Sequence, residues 1–439
     1  MLRRSIQARP AYLLVIPIVI SWSLYPWAIS WLYPNSTRIL FGMSFAVVFG
    51  LLLFLGRRFE WCTTTGEKIL CLVTCGYILS AVLASIVFNA ANPDLLLRYL
   101  SKFVFFLALA CFLDRRTIFL TADVYSYICV ALVVFSMIGI LSIIMGWTEL
   151  SVVSVVRGVD GYGEMIWSFS GFDGAARILP ESAQFPRMQS FALEPAGFAL
   201  ALLPALYWLV LVRQRYMAGS VIALGIAATW SLGALLAMVL AAILLLCNKH
   251  IGGKGKIFLL GAIIFFFVSH LVFFWMVDLD LFPEVHPMTI SLSSIDIITG
   301  GDKQLSKQQR VDELFQVITF VRTDFWGAGV GGGRELLDSS ISVGYANVFA
   351  DTGLLGGSFY VLLCVAIGVI ALKYVLTCSR RDARGVNGKA VLALALSLLT
   401  CLFFGLQREQ PDASFWHMWI YASFIIMHRM INSHDTNKP

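Results

Sequence analysis

Uncharged apolar runs alternate with short polar connections along most of the chain. A run of about 20 such residues is long enough for a helix to cross a hydrocarbon core of about 30 Å. Residues 217–247 are too many for one crossing, and the break at Ser231-Leu232-Gly233 favours two short helices there. The pattern therefore predicts twelve membrane-spanning helices, at about 11–33, 37–56, 69–91, 97–113, 122–146, 190–212, 217–231, 233–247, 257–277, 346–375, 390–406 and 413–431.

Composition indicates the same class of protein. Hydrophobic residues make up 59% of the chain and charged residues 13%, whereas a soluble globular domain carries about a quarter charged residues. Soluble enzymes, collagen-like chains, disordered chains and disulfide scaffolds are excluded on this basis. We therefore expect an all-α polytopic membrane protein with about 12 transmembrane helices.

The positions of the basic residues predict the orientation in the membrane. The chain has 32 basic and 26 acidic residues, a net charge of +6. If the N-terminus is cytoplasmic, most of the Lys and Arg residues fall in short cytoplasmic loops beside helix ends, as the positive-inside rule requires. Both termini are then cytoplasmic, and the first helix is expected to remain uncleaved. The excess of basic residues is therefore explained by their place in cytoplasmic loops, and no nucleic-acid partner is expected.

Two long segments lie on the predicted outer side, where the other connections are very short. Long segments of this kind are usually functional or disordered, and these two are rich in aromatic residues, which favours function. The expected organisation is five transmembrane helices in 1–146, a periplasmic loop in 147–189, helices six to nine in 190–277, a large periplasmic loop in 278–345, and helices ten to twelve with a cytoplasmic tail in 346–439. Both outer loops are expected to contain short amphipathic helices.

Charged residues lie where the first outer loop meets the sixth predicted helix. The loop carries Arg177 and, close to its end, Arg187, and Glu194 follows about two turns deeper in the membrane. A carboxylate at that depth costs about 2.5–3.5 kcal/mol on insertion scales, so it should face a cavity or a cation. Pro195 predicts a broken or late-starting helix at this point. A purely structural pair between Glu194 and Arg187 is the alternative interpretation.

The second outer loop contains a predicted amphipathic helix from Arg310 to Arg322, with a glycine-rich turn after it. Its apolar positions recur at helical spacing: Val311, Leu314, Phe315, Ile318 and Val321. Guanidinium groups hold phosphate oxygens in a two-pronged contact. The turn, together with Arg310, Arg322 and Arg334, therefore suggests an anion site. Pairing of these arginines with loop acids, and a merely flexible turn, are the alternatives.

Other familiar chemistry is missing from the sequence. It contains no Walker loop, no His-x-x-x-His and no G-x-G-x-x-G that follows a predicted strand, so neither a nucleotide nor a resident metal is expected. The nine cysteines all fall in predicted spans or on the cytoplasmic side, so no disulfide framework is expected outside.

Three short stretches follow one another along the chain within this topology. They are Arg187-x3-Phe191-x2-Glu194-Pro195-x3-Ala199, then Arg310 followed by Asp324-Phe325-Trp326-Gly327-x-Gly329, and finally Gly344-Tyr345-Ala346-Asn347-Val348-Phe349-Ala350-Asp351-Thr352-Gly353-Leu354-Leu355-Gly356. In order, spacing and topology they resemble the O-antigen polymerase and O-antigen ligase superfamily, the Wzy-type membrane glycosyltransferases. The likeness covers most of the chain by topology.

Departures from the family pattern favour its polymerase branch. The ligase branch carries a His-Asn pair just before the third stretch, where this chain has Ser342 and Val343. The two long loops contain one histidine, His286, which lies far upstream of the third stretch. Asp324 and Phe325 stand where the family has Asn-Pro, so the local turn is expected to differ.

The resemblance implies a GT-C-like fold and a metal-independent glycosyltransferase of the bacterial inner membrane. Such an enzyme transfers a glycan chain from undecaprenyl pyrophosphate onto a new lipid-linked repeat unit at the periplasmic face. It needs no cofactor. Its expected partners are the undecaprenyl-pyrophosphate-linked oligosaccharide and membrane lipid, and the resemblance leaves room for a chain-length regulator protein.

Candidate roles follow from the charge that develops on the leaving pyrophosphate, which arginines can stabilise without a metal. Arg187 and Arg310, with Arg322 and Arg177, are expected to bind the diphosphate. Glu194 is the first candidate for the base that accepts the acceptor hydroxyl's proton, and Asp351 is the second. Trp326 and Tyr345 are expected to stack on sugars. A ligase-type transferase and a lipid-linked sugar flippase or transporter remain the alternative functions.

Overall fold

The described part of the chain is predominantly helical. A computed structural model describes residues 65–87, 115–144, 153–156, 165–168, 188, 195–229, 231–250, 304–330, 332–333, 344–377, 385–405, 420 and 423–427. The predicted spans at 11–33, 37–56, 97–113 and 257–277 lie outside these residues, as does most of 413–431.

The helices follow the apolar runs of the sequence. They are α1 (Thr65–Val87), α2 (Arg115–Ile144), α3 (Pro195–Tyr207), α4 (Tyr216–Ala228), α5 (Leu232–His250), α6 (Gln304–Thr323), α7 (Gly344–Thr377) and α8 (Val386–Gly405). A π-helical turn, Trp208–Val212, continues α3. The prediction that the apolar stretch 217–247 forms two helices is confirmed, because α4 and α5 are separate.

Two helical segments are long and apolar enough to cross a membrane, Arg115–Ile138 and Tyr345–Leu376. Only 39% and 50% of their most apolar windows are buried within the protein. A core helix of a soluble protein would be mostly buried. Large apolar side chains on neighbouring helices are also exposed, such as Leu72 on α1 at 72% and Met217 on α4 at 85%. These helices therefore present apolar surface to their surroundings.

One short β-hairpin departs from the expected all-α fold. Strands β1 (Val153–Val156) and β2 (Met165–Ser168) pair antiparallel, with Val153 opposite Ser168. The hairpin lies in the segment 147–189, where amphipathic helices were predicted. Three of the four residues of β1 are valine, and β-branched residues are enriched in strands.

The core is centred on α3, α7 and α8. Helix α7 packs against α1, α6 and α8, while α3 packs against α2, α4 and α8. Small residues line these contacts, and Ala199, Ala205, Ala371, Ala390 and Ala395 are fully buried. Small side chains let helix backbones approach closely, which is how helices associate in a membrane.

A charged contact joins α2 to the end of α3. Arg213, just after the π-helical turn, forms an ion pair with Asp123 on α2, and its Nε donates to Asp123 Oδ1 at 2.6 Å. Trp208 Nε1 donates to the same oxygen at 2.9 Å, and the Trp208 ring lies edge-on to Phe119. The hydrogen bonds to Asp123 raise the pKa of Arg213 above its ordinary value. The guanidinium is therefore charged at every physiological pH.

Candidate functional site

The amphipathic helix predicted in the second long loop is present as α6. Leu314, Val317, Ile318 and Val321 are buried and α6 packs on α7, whereas Thr319 and Arg322 are exposed. The predicted start at Arg310 was wrong, because the helix begins at Gln304. The first two turns hold few apolar residues, so apolar spacing gave no signal for them.

Arg310 and Arg322 do not share a face of α6. Position 310 lies four, seven and eleven residues before Leu314, Val317 and Val321, so it shares their face of the helix, and these three residues are buried. Arg322 lies 12 positions later, which is about 120° around the helix, and its side chain is exposed. The side chain of Arg310 lies outside the described residues.

The second and third sequence stretches meet in one interlocked unit. The chain after α6, residues 324–333, is named the glycine turn, and residues 350–354 of α7 are named the α7 kink. In an unbroken helix the Leu354 N–H would bond to the Ala350 carbonyl. Here Leu354 N–H donates to Phe325 O at 3.0 Å, and Ala350 O accepts from Ala328 N–H at 2.9 Å. The glycine turn thus replaces one helical hydrogen bond with two bonds of its own.

Two glycines make this close approach possible. Gly327 has φ 77° and Gly353 has φ 69°, so both lie in the left-handed region where other residues are strained. A Cβ on Gly353 would overlap the carbonyl oxygen of Phe325, and one on Gly327 would lie 2.9 Å from Ala350 O. Backbone therefore contacts backbone directly at the α7 kink.

Several N–H groups of the glycine turn donate to acceptors within the protein. Gly333 N–H donates to Asp351 Oδ1 at 3.2 Å, and Val330 N–H donates to Ser85 Oγ on α1 at 3.1 Å. Gly327 and Ala328 also donate to backbone carbonyls. These four N–H groups therefore hold the turn in place and do not point at an anion.

Asp351 is a buried residue with a defined structural contact. Its side chain is 9% exposed, and one carboxylate oxygen anchors Gly333. Asn347 lies one helical turn earlier and is 7% exposed. Its amide oxygen has no hydrogen-bond partner among the described residues. Two oxygen-bearing side chains therefore share one face of α7 beside the glycine turn.

The predicted sugar-stacking residues differ in accessibility. Trp326 is 40% exposed and can offer ring surface to a ligand. Tyr345 is 1% exposed and packs in the core at the start of α7, so its ring faces are covered. Phe325, which was not among the predicted site residues, is exposed to the same extent as Trp326.

The first sequence stretch is described only at its edges. Helix α3 begins at Pro195, which confirms the predicted late start. Met188 is fully buried, and its N–H donates to Ala228 O at the end of α4, 2.9 Å away. Arg177, Arg187 and Glu194 lie outside the described residues. The peptide bond that follows Arg187 is nevertheless fixed against the C-terminal end of α4.

Several residues of the site carried little signal in the sequence. Ser85 is one of many small polar residues in apolar runs, and Gly353 stands in the middle of a helical pattern. The clue to Gly353 was its place in the third stretch, between Asp351 and Gly356. Among the described residues, no group of three or more His, Cys, Asp or Glu side chains comes together.

No protein-family model matches this sequence, and no curated protein is similar to it.

Proposed function

We propose that this chain is a polysaccharide polymerase of the outer face of a bacterial inner membrane. It would transfer a glycan chain from undecaprenyl pyrophosphate onto a new lipid-linked repeat unit. One observation carries the proposal: the second and third motif stretches, separate in the sequence, form a single unit through the exchange of hydrogen bonds at the α7 kink. In the proposed topology this unit is at the outer end of α7.

The proposed topology has twelve spans, cytoplasmic termini and two outer loops. Its support is the distribution of basic residues and the exposed apolar faces of α1, α2 and α4. Such faces are costly in water and natural against lipid tails. A straight helix of 34 residues, the length of α7, would measure about 51 Å. It therefore exceeds the hydrocarbon core, and its N-terminal part can hold the α7 kink and the glycine turn near the membrane surface.

The proposed chemistry divides between arginines and one carboxylate. Arg187 and Arg310, assisted by Arg177, would bind the diphosphate and stabilise its developing charge. Arg322 lies on another face of α6, about 18 Å along the helix axis from position 310, and is therefore left out of this group. The base would be Glu194, directly before α3, or Asp351. Asp351 is buried beside the glycine turn, where its Oδ1 accepts the Gly333 N–H, and a carboxylate can accept a hydroxyl proton. The donor phosphodiester supplies the energy, so no nucleotide is required.

The direct test is a transfer assay on the full chain in nanodiscs. A synthetic undecaprenyl-pyrophosphate-linked repeat unit is the substrate, and the products are separated by length. We expect a ladder of oligomers that forms equally well in EDTA, because arginines supply the electrostatic stabilisation. Transfer of a single chain onto a lipid A–core acceptor would indicate a ligase instead. Movement of intact substrate across the bilayer without a new bond would indicate a flippase.

The diphosphate role is tested by Arg310→Lys and Arg187→Lys. A lysine keeps the charge and loses the two-pronged contact, so each variant should lose about 10²–10³ in transfer rate at normal expression. Arg334→Lys should be much milder. Arg215→Lys, an exposed arginine before α4, is the matched control and should behave as the parent. Full-length polymer from both Arg310→Lys and Arg187→Lys would rule out the diphosphate role.

A further inference from the structure

The end of α6 carries an exposed patch of two aromatic rings beside a carboxylate. Phe325 and Trp326 are each 40% exposed, and their rings stand edge-to-face with centroids 5.5 Å apart and planes at 90°. Asp324 precedes them and is half-buried. Its carboxylate makes no hydrogen bond or ion pair within the described part of the chain. We name these three residues the 324–326 patch.

The backbone under the patch is rigidly held. Asp324 N–H donates to Phe320 O at 2.8 Å, Gly327 N–H donates to Asp324 O at 3.0 Å, and Phe325 O accepts the Leu354 N–H of the α7 kink. The next residues of the glycine turn, 327–330, are all buried. The rings are therefore presented on a fixed turn. A ligand that binds them has little ordering entropy to overcome.

We propose that the 324–326 patch is a saccharide subsite for the neutral part of the glycan. The ring face of Trp326 would cover the C–H face of a pyranose, the perpendicular ring of Phe325 would flank the sugar, and the Asp324 carboxylate would accept hydrogen bonds from its hydroxyls. The identity of that glycan rests on the proposed function. The subsite itself is a claim about binding alone.

Charge separates this subsite from the diphosphate site. Among the described residues Asp324 has no counter-ion, and a carboxylate in this state repels phosphate, because like charges at contact distance raise the energy of both. A hydroxyl-bearing sugar is instead stabilised by the same group, since hydrogen bonds to a charged acceptor are the strong ones. The patch therefore favours the sugar end of a lipid-linked oligosaccharide over its diphosphate end.

Charge also argues against lipid tails as the occupant. Aromatic rings do anchor proteins at membrane interfaces, but here the rings flank a carboxylate that no described side chain neutralises. Transfer of an unpaired carboxylate into an apolar environment is costly. A sugar covers the rings and satisfies the carboxylate at the same time.

Saturation-transfer NMR on the full chain in nanodiscs tests the proposal. The probes are free neutral trisaccharides built of glucose, galactose and N-acetylglucosamine, and inorganic pyrophosphate is the competitor. The parent should transfer saturation to at least one trisaccharide. Trp326→Ala and Phe325→Ala should each weaken that binding about tenfold. Trp326→Phe, which keeps a ring, should retain most of it. Pyrophosphate should not displace the sugar.

Phe135→Ala on α2 is the matched control, because Phe135 is 39% exposed and lies far along the chain from the patch. It should bind trisaccharide as the parent does. Variants are compared only where their thermal unfolding midpoint matches the parent, and the Trp326→Phe variant keeps the test informative if an alanine variant misfolds. No saturation transfer in the parent, equal binding in Trp326→Ala and Phe135→Ala, or displacement by pyrophosphate would each overturn the subsite.

The subsite and the proposed function fail in different ways. If the parent binds trisaccharide but produces no oligomer ladder, polymerase activity is refuted and the subsite stands. If the parent makes a ladder and Trp326→Ala makes the same ladder with unchanged trisaccharide binding, the subsite is refuted and the polymerase stands.

Discussion

Gly353 is the single residue on which the glycine turn and α7 most directly depend. It adopts φ 69° inside a helix, and the carbonyl of Phe325 occupies the space that a side chain would need. Both the left-handed backbone and the close contact exclude a Cβ. A glycine in a helix interior normally costs about 0.5–1 kcal/mol relative to alanine. At position 353 the order is reversed, because any residue with a Cβ would be less stable than glycine.

We predict that Gly353→Ala destabilises the protein and weakens transfer. The left-handed conformation alone costs about 1–2 kcal/mol for a residue with a Cβ, and the overlap with Phe325 adds to it. The thermal unfolding midpoint in nanodiscs is the measurement. Gly368→Ala is the matched control on the same helix, since its Cβ would meet only Leu402 Cδ1 at an ordinary 3.7 Å. A midpoint for Gly353→Ala equal to that of Gly368→Ala would contradict the interlock.

At the scale of elements, one charged contact joins α2 to α3. Asp123 accepts from both Arg213 and Trp208, so a single carboxylate connects two helices through three donors. Arg213 is 38% exposed, so solvent screens the pair and its energy is modest. The pKa of Arg213 is raised by these bonds. The guanidinium therefore stays charged up to strongly alkaline pH, and its own deprotonation does not weaken the pair below that.

A double-mutant cycle measures this connection. We expect Asp123→Ala and Arg213→Ala to show a coupling free energy of about 0.5–1 kcal/mol in thermal unfolding. Because Arg213 stays charged between mildly acidic and mildly alkaline pH, its titration should not change the coupling free energy in that range. Strict additivity of the two substitutions would mean that the ion pair does not stabilise the α2–α3 contact.

At the scale of the whole molecule, the proposed topology fixes the orientation of the chain in the membrane, and two described positions can test it. Helix α6 belongs to the predicted outer loop, and the start of α8 belongs to a predicted cytoplasmic loop. Thr319 on α6 is exposed, and Val386 at the start of α8 is 51% exposed. In the proposed topology these two positions lie on opposite sides of the membrane.

Cysteine labelling tests the orientation. Thr319→Cys should react with a membrane-impermeant maleimide in intact cells, and Val386→Cys should react only after permeabilisation. The signal is read above that of the parent, whose native cysteines are present in both variants. Reaction of Val386→Cys in intact cells would overturn the orientation derived from the basic residues.

Local patterns predicted the helices well because helix formation depends on neighbours in the sequence. The apolar spacing of α6 and the proline at the start of α3 are local signals, and the structure has a helix at each place, although α6 begins six residues before the predicted start at Arg310. The exchange at the α7 kink joins residues 22 and 29 positions apart, Ala328 with Ala350 and Phe325 with Leu354. No local pattern encodes such a pairing. Trp326 and Tyr345 were equivalent as aromatic residues, and only packing distinguishes the exposed ring from the buried one.

In the proposed topology, the exchange of hydrogen bonds at the α7 kink implies an order of events in biogenesis. A bent α7 that entered the bilayer without the glycine turn would leave the Ala350 carbonyl and the Leu354 amide without partners, which costs several kcal/mol in lipid. We therefore expect the helix to insert straight, with these two groups bonded to each other, and to bend when the glycine turn binds both of them. The glycine turn precedes α7 in the chain, so the segment that completes the shape of α7 is synthesised before the helix itself.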